Sequence, residues 1–573
     1  MEASPAVVAL VFLASVVSAE DAYRTLPANT EPVPDRWRIP VGAWPRYDNP
    51  HTETPYQTAA PDLWHPYRQS VLKGDLPIIG QDIFLNLTAF NFTEFEARRL
   101  PKPSGVSAED PGQAEFFGSG EEWFVQSFVG LRMDLFKGET AFKPVEWRLV
   151  LETVANVNYT DVRERNVLNP DPRHDSDRYR DDLALQQAFF ELHLRDLSPN
   201  YDFASSKFGL QPFNSDFRGF IFNDVNLGAR LFGNAGNNHW QYNAAFFEMR
   251  EKDTFSDLNR FDTRDQRVLV LNVYRQDFLT KGYTAQLSFH ANLDDASTEY
   301  DRNGFLVRPA PLGTVEPHEV HAYYLGWAGD GHLGRLNITH AFYQVLGEDE
   351  WNGLADQSVD INAQMFALEL SYDKDWLRPK LSFFYASGDD NAEDDEATGF
   401  DTILDNPFFA GNPFSFYTRQ GFNLGGTSVA LKQRNSLVPN LRTSKTQGQA
   451  NFVNPGVLIL GAGLEIEVTP KLRTTVNANY IRFVDTNPIE TALFDTPVRE
   501  ELGFDLSLGC FYRPLLTDNI IIAAGFGVLI PGGGFRDIYR TAPNPVPGFP
   551  DERPAGSVED FYYTGLLSVT LTY

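Results

Sequence analysis

Strict alternation of apolar and polar residues, repeated along most of the chain, is the feature that most limits what this sequence can become. In "YTAQLSFHANLD", Tyr283, Ala285, Leu287, Phe289, Ala291 and Leu293 fall on one face of an extended chain. Thr284, Gln286, Ser288, His290, Asn292 and Asp294 fall on the other. A period of two is the mark of a strand with one apolar and one polar side. "WRLVLETVANVNY" sets Trp147, Leu149, Leu151, Val157 and Tyr159 against Arg148, Glu152, Asn156 and Asn158. "FVQSFVGLRMDLF" sets Val125, Val129, Leu131, Met133 and Leu135 against Gln126, Arg132 and Asp134. "VLILGAGLEIEV" alternates Leu458, Leu460, Ala462, Leu464, Ile466 and Val468 with glycines and glutamates. About eighteen such segments run from near residue 83 to Tyr573, among them 183–196, 218–233 and 266–278.

The connections between them sort by length. "NAGNN", "LTKG", "GDGHLG", "DKDW", "TPK" and "LLTDN" are short, and between them come longer stretches such as 98–121, 161–182, 296–316, 390–455 and 533–558. One connection, near 213–217, breaks the rhythm by being short where a long one is due. Long loops at one end and short turns at the other are the layout of an outer-membrane barrel. A soluble sandwich has turns every ~8–12 residues, closer than these. Closure of the first strand on the last removes both free edges. The expected fold is therefore all-β: a transmembrane antiparallel barrel of about eighteen strands over residues 78–573, with 390–455 as a long external loop.

Two segments precede the barrel. "AVVALVFLASVVSA" reads as a signal peptide over residues 1–19, although Glu2 stands where a basic residue is usual. Residues 20–77 carry prolines at Pro40, Pro45, Pro50, Pro55, Pro61 and Pro66, interleaved with Trp37, Trp44, Tyr47, Tyr56, Trp64 and Tyr67. Proline at that density favours extended backbone over helix or sheet. A leader without fixed structure is one reading. A segment docked by its aromatics, on the periplasmic side or in the lumen, is the reading the aromatics favour, and it gives the extension a possible periplasmic partner.

Composition excludes several functions. The single cysteine, Cys510, rules out a disulfide framework, a C-x-x-C redox pair and a C-x-x-C-H haem site. A formal charge of −29 disfavours nucleic acid, whose phosphates it would repel. His318 and His321 do not form H-E-x-x-H, and no nucleophile–base set stands out, so neither an enzymatic activity nor a cofactor is expected. The run "GDDNAEDDEATGFD" offers Asp389, Asp390, Asp394 and Asp395 as calcium candidates, but its spacing fits no defined calcium loop and a solvated loop is the plainer reading.

The last strand, "DFYYTGLLSVTLTY", resembles the ending of bacterial outer-membrane barrels, which close on an aromatic residue with apolar residues at alternate positions before it. Tyr563, Leu567, Val569, Leu571 and Tyr573 match that pattern, and the resemblance implies recognition by the barrel-assembly machinery. Two further stretches, Gln186 to Asp224 and Phe383 to Gly411, resemble the alginate-export type of barrel and its porin relatives. That resemblance implies a barrel that passes a hydrophilic solute through outer-membrane lipid, without implying alginate.

The inward faces then supply the pore-lining candidates: Arg132, Asp134, Glu146, Arg148, Glu152, Glu191, Arg195, His290, Asp294, Glu465, Glu467, Arg473 and Asp505. A polyanion exporter needs a strongly basic lumen, because a charge entering a low-dielectric pore must meet its opposite. This set is mixed, and predicts a neutral to mildly cation-selective pore. The leading expectation is a porin-like channel in a bacterial outer membrane, for passive diffusion or export of small or polymeric hydrophilic solutes, with loop 390–455 folding inward or over the mouth as a constriction. The alternative is a sleeve or scaffold around a partner, such as a multihaem electron-transfer protein or a surface assembly.

Overall fold

In the computed structural model, the described residues are 70–104, 117–138, 144–171, 173–425, 427–494, 497–540 and 558–573. The expected signal segment 1–19, and the extension as far as residue 69, lie outside them. Eighteen long strands form one sheet: β1 (Ile83–Arg99), β2 (Glu121–Lys137), β3 (Trp147–Val162), β4 (Asp177–Asp196), β5 (Phe203–Asn214) and β6 (Asn223–Ala235). Next come β7 (Trp240–Lys252), β8 (Asn259–Arg275), β9 (Tyr283–Asp294), β10 (Val320–Leu333), β11 (Leu336–Asn352) and β12 (Gln357–Tyr372). The ring is completed by β13 (Leu377–Ala386), β14 (Val457–Thr469), β15 (Leu472–Arg482), β16 (Glu501–Tyr512), β17 (Ile520–Pro531) and β18 (Tyr562–Thr572).

Each strand pairs antiparallel with the next, and β1 pairs with β18 from Phe90↔Thr572 to Arg99↔Tyr563. The sheet is a closed barrel, so its end strands have partners and no free edge remains between β1 and β18. Beyond Tyr573, which exchanges backbone hydrogen bonds with Ala89, the line of β18 is taken up by residues 72–73.

The alternation sorts the side chains as the sequence implies. Leu131, Leu287, Leu325, Leu381, Leu506 and Leu567 are exposed on the outer face. Their strand neighbours Ser288, His290, Tyr324, Ser382, Asp505 and Ser568 are buried on the inner one. A closed ladder leaves no main-chain donor unpaired inside lipid, and an apolar exterior suits hydrocarbon.

Two strands start earlier than the alternation suggests. β4 begins at Asp177 rather than near 183, and β8 at Asn259 rather than near 266. Their leading stretches, "DRYRDD" and "NRFDTRD", are polar on both faces, so the period-two signal vanishes there although the ladder continues. β6, conversely, starts at Asn223 rather than 218. Residues 215–222 turn into the lumen instead: the Asp216 carboxylate accepts the N–H groups of Gly219 (2.6 Å), Arg218 (2.8 Å) and Phe220 (3.0 Å). Side-chain amides of Gln286 and Asn272 hold the Ser215 carbonyl at 2.6 and 3.2 Å. The connection that is too short for an external loop is an inward one.

The largest departure from an empty cylinder is residues 387–456. They fold inside the ring and form its apolar core together with the inward faces of β8–β17. Phe400, Phe416, Tyr417, Phe422 and Leu431 of this segment are fully buried against Tyr324, Tyr343, Ala363, Met365 and Ile481 of the wall. A short helix, α1 (Phe416–Arg419), is capped by the Ser415 hydroxyl accepting from the Thr418 N–H at 3.1 Å. Two further helices, α2 (Asn487–Leu493) and α3 (Gly533–Arg540), lie in the long connections at the same end.

Candidate functional site in the lumen

The inner wall divides into three chemically distinct zones. The first runs across β2–β7 and is lined by charges in pairs between neighbouring strands. Arg132 faces Glu152 at 3.9 Å, Arg148 meets Asp134 at 3.1 Å, and Lys207 meets Glu191 at 3.2 Å. The Gln187 amide donates to Glu152 at 3.0 Å. Arg230 donates to the Asn243 amide oxygen at 2.7 Å. The Arg132 and Arg148 side chains keep about a third of their surface, 32% and 30%, so the lumen beside them is accessible to water.

The second zone locks the inserted segment to the barrel seam. Glu94 and Glu96 of β1 are buried, and Arg419 at the end of α1 lies 2.6 Å from each. Arg434, on the same inserted segment, lies 3.0 Å from each. The Thr564 hydroxyl of β18 donates to Glu96 at 3.0 Å, so the cluster straddles the β1–β18 closure. Two carboxylates and two guanidiniums neutralise one another here, as buried charges require. Beside the seam, on β16 and β17, the segment rests on a glycine floor: a Cβ at Gly509 or Gly525 would overlap the Phe414 ring.

The third zone is a cavity of about 390 Å³ near the short-turn end, beneath the inserted segment. Arg218, Asp330, Glu369, Lys380, Glu465 and Arg473 project to it. Arg218 pairs with Glu369 at 3.0 Å, and Glu465 pairs with both Lys380 and Arg378. Arg473 lies over the Phe511 ring, 5.2 Å from its centre. At the opposite end a cleft of about 40 Å³ opens between residues 309–318 and 441–451.

The thirteen residues expected to line a pore separate accordingly. Arg132, Asp134, Arg148, Glu152 and Glu191 stand together in the first zone, and Glu465 and Arg473 in the third. His290, Asp294 and Asp505 face inward but are fully buried. His290 sits edge-on to Tyr324 and Tyr343, with ring centres 6.2 and 6.0 Å away. Asp294 pairs with Arg264 at 3.4 Å, while Arg264 also reaches the Gly448 carbonyl of the inserted segment at 2.6 Å. Asp505 accepts from the Phe416 N–H at 3.0 Å and from Asn479 at 3.1 Å. Asp505 directly and Asp294 through Arg264 support the inserted segment, whereas His290 packs on the tyrosines of the wall.

Glu146, in the turn before β3, pairs with Lys137 at 2.8 Å, and Arg195 and Glu467 are exposed at the turn end of the barrel. Lys207, Arg230, Glu94, Glu96, Arg419 and Arg434, with Arg218, Asp330, Glu369 and Lys380 of the third zone, were not among the residues expected from the sequence. One signal for the inserted segment was available: Val359, Ile361, Ala363, Met365 and Ala367 make the inward face of β12 apolar, which only a packed partner inside the ring explains.

Among the acidic loop residues, Asp389 is buried and Asp390 and Asp395 are exposed. Burial, reinforced by the charges of Asp394, Asp390 and Asp485, pushes the Asp389 carboxyl up to about 7. Among the described residues no three His, Cys, Asp or Glu side chains converge as a metal set. On β18, Leu567 and Leu571 are exposed on the outer face, with Tyr563 and Val569 partly so.

No protein-family model matches the sequence, and no curated protein does. Solved structures similar in fold include OccD3 (OpdP) of Pseudomonas aeruginosa, at 12% identity and a TM-score of 0.45, covering 90% of this chain and 99% of that one. OccK9 (OpdG) of the same organism follows at 11% and 0.44, covering 85% and 98%. OccAB4 of Acinetobacter baumannii stands at 10% and 0.43, covering 86% and 99%. On its own geometry — closed ladder, apolar exterior, charged interior, long loops at one end — the protein is a transmembrane β-barrel of the bacterial outer-membrane type.

Proposed function

We propose that the protein is a channel for passive diffusion of small hydrophilic solutes across a bacterial outer membrane. The observation that carries this reading is the row Arg132–Glu152, Asp134–Arg148 and Glu191–Lys207, which gives a membrane-spanning wall a partly hydrated charged face. A sealed structural barrel has no use for arginines that keep a third of their surface inside the ring. Because each carboxylate of the row has a basic partner, the wall presents dipoles more than net charge, and weak ion selectivity follows.

A small solute fits this lumen better than a polymer. Residues 387–456 fill the side bounded by β8–β17, and the cavity below them, about 390 Å³, matches a small molecule. A sleeve around a haem protein would need the space that this segment occupies. The test is single-channel conductance of refolded protein in a planar bilayer, with the folded barrel checked by heat-dependent gel mobility. Small, weakly selective current steps are expected; a folded barrel that passes no current would overturn the reading.

A further inference from the structure

The cavity beneath the inserted segment contains a feature unusual for a water-facing surface, an aromatic ring left open. Phe408 belongs to the inserted segment, lines the cavity and keeps 53% of its surface exposed. Its backbone is held in place. The Asn406 and Phe408 N–H groups donate to the Gly219 and Arg218 carbonyls at 2.9 and 3.1 Å, which docks residues 406–408 on the inward turn at 215–222. The Asn412 amide donates to the Pro407 carbonyl between them at 2.8 Å. Phe409, the next residue, is buried against Phe220 and Phe384. One ring of the pair anchors the segment, and the other presents a flat apolar face to the cavity. Such a face is unfavourable in water until something apolar covers it.

The charges around that ring are already balanced. Arg218 lies 3.0 Å from Glu369 and donates to the Thr339 hydroxyl at 2.9 Å, and that hydroxyl donates to Asp330 at 2.5 Å. Across the cavity Arg378 and Lys380 share Glu465, and Arg473 stands directly opposite Glu467 in the β14–β15 register. A small ion entering here must compete with a charge of its own sign for each partner, and must shed hydration to do so. A neutral solute bearing hydroxyl groups meets no such competition. A hydroxyl both donates and accepts, so it can give to Glu369 or Asp330 and take from Arg218 while the pairs stay closed. The C–H groups of a sugar ring form a flat apolar face, which is the complement of an open phenylalanine.

We propose that this cavity is a binding site for a neutral mono- or disaccharide, seated with its C–H face on Phe408 and its hydroxyls on the Arg218–Glu369 and Thr339–Asp330 groups. A cavity of about 390 Å³ has room for a solute of that size. The proposal rests on the channel reading only for how the sugar arrives, and its binding is measurable without current.

Refolded full-length protein, in a detergent without a sugar headgroup, is titrated with glucose and with maltose by calorimetry. Saturable binding of one sugar per barrel is expected, weakened about tenfold by Phe408→Ala and retained by Phe408→Tyr. Should Phe408→Ala fail to fold, Thr475→Trp, which fills the cavity from β15, should remove the binding by another route. In a planar bilayer the same sugars should lower the current saturably over the same concentration range. Sugar binding by a folded barrel that passes no current would sink the channel reading and leave this one standing. No binding of either sugar to the folded barrel, equal binding by Phe408→Ala, or binding of benzoate or glycine in place of the sugars would overturn it.

Discussion

The two sides of this lumen solve the same problem in opposite ways. On the side of β8–β17 the wall turns apolar or glycine-bearing inward, and residues 387–456 fill the space as a second core. On the side of β2–β6 the wall keeps its charges and neutralises them strand to strand. Burial of apolar area, roughly 25 cal/mol per Å², can fasten an inserted segment with little help from charge. A water-facing wall has no such source and gains only about 0–1 kcal/mol from each exposed ion pair. The filled side therefore supplies rigidity, and on the channel reading proposed above the charged side supplies the path. The Glu94/Glu96–Arg419/Arg434 cluster is the exception, since it places buried ions at the edge of the filled side and joins it to the barrel seam.

That contrast can be attacked first where the difference is largest. Replacing residues 390–454 by a short Gly/Ser linker should raise single-channel conductance severalfold while the barrel still shows heat-modifiable mobility; unchanged conductance would mean that the filled side never limited the path. Glu96→Ala comes next. It leaves Arg419 and Arg434 with one carboxylate between them, and loss of one partner from a buried cluster costs about 3–5 kcal/mol. The expected readout is early protease cleavage within 387–456 at a temperature where the strands remain folded.

Gly525→Val tests the glycine floor. Its side chain would collide with Phe414, an overpacking cost of about 1–3 kcal/mol visible as a lowered midpoint of thermal unfolding. Glu152→Gln on the charged side should change stability by less than about 1 kcal/mol. It releases Arg132 from its partner, so the reversal potential in a salt gradient should shift toward anions.

A pH difference completes the set. The Asp389 carboxyl has its folded pKa raised to about 7, above the ordinary aspartate range. A raised carboxyl stabilises its surroundings most below its unfolded value and loses that contribution as pH climbs through its folded value. The loop holding Asp389 should resist protease better near pH 5 than near pH 8, and Asp389→Asn should abolish the difference.

Much of the architecture is legible before any coordinates. Leu287 and His290 already stand on opposite faces in "YTAQLSFHANLD", and the sorting of "DKDW" and "TPK" from 390–455 already separates the two ends of the barrel. Strand beginnings were harder where polarity fell on both faces, as at Asp177 and Asn259. The lumen was harder still. Asp505 and Glu152 look alike in sequence, each an acidic residue on the inward face of an amphipathic strand. One is sealed beneath α1 and the other remains partly accessible beside Arg132.

By itself, then, the sequence determined the closed barrel, its approximate strand number and which face meets lipid. Those depend on the two-residue period of a strand and on the demand that every backbone group find a partner inside a membrane. Only the tertiary structure decided which inward residues meet water and which meet protein. That depends on where residues 387–456 and the turn at 215–222 settle, and their contacts join positions more than a hundred residues apart, such as Glu96 with Arg419 and Arg218 with Glu369. Such pairings obey no local period, so nothing short of the folded ring brings them together.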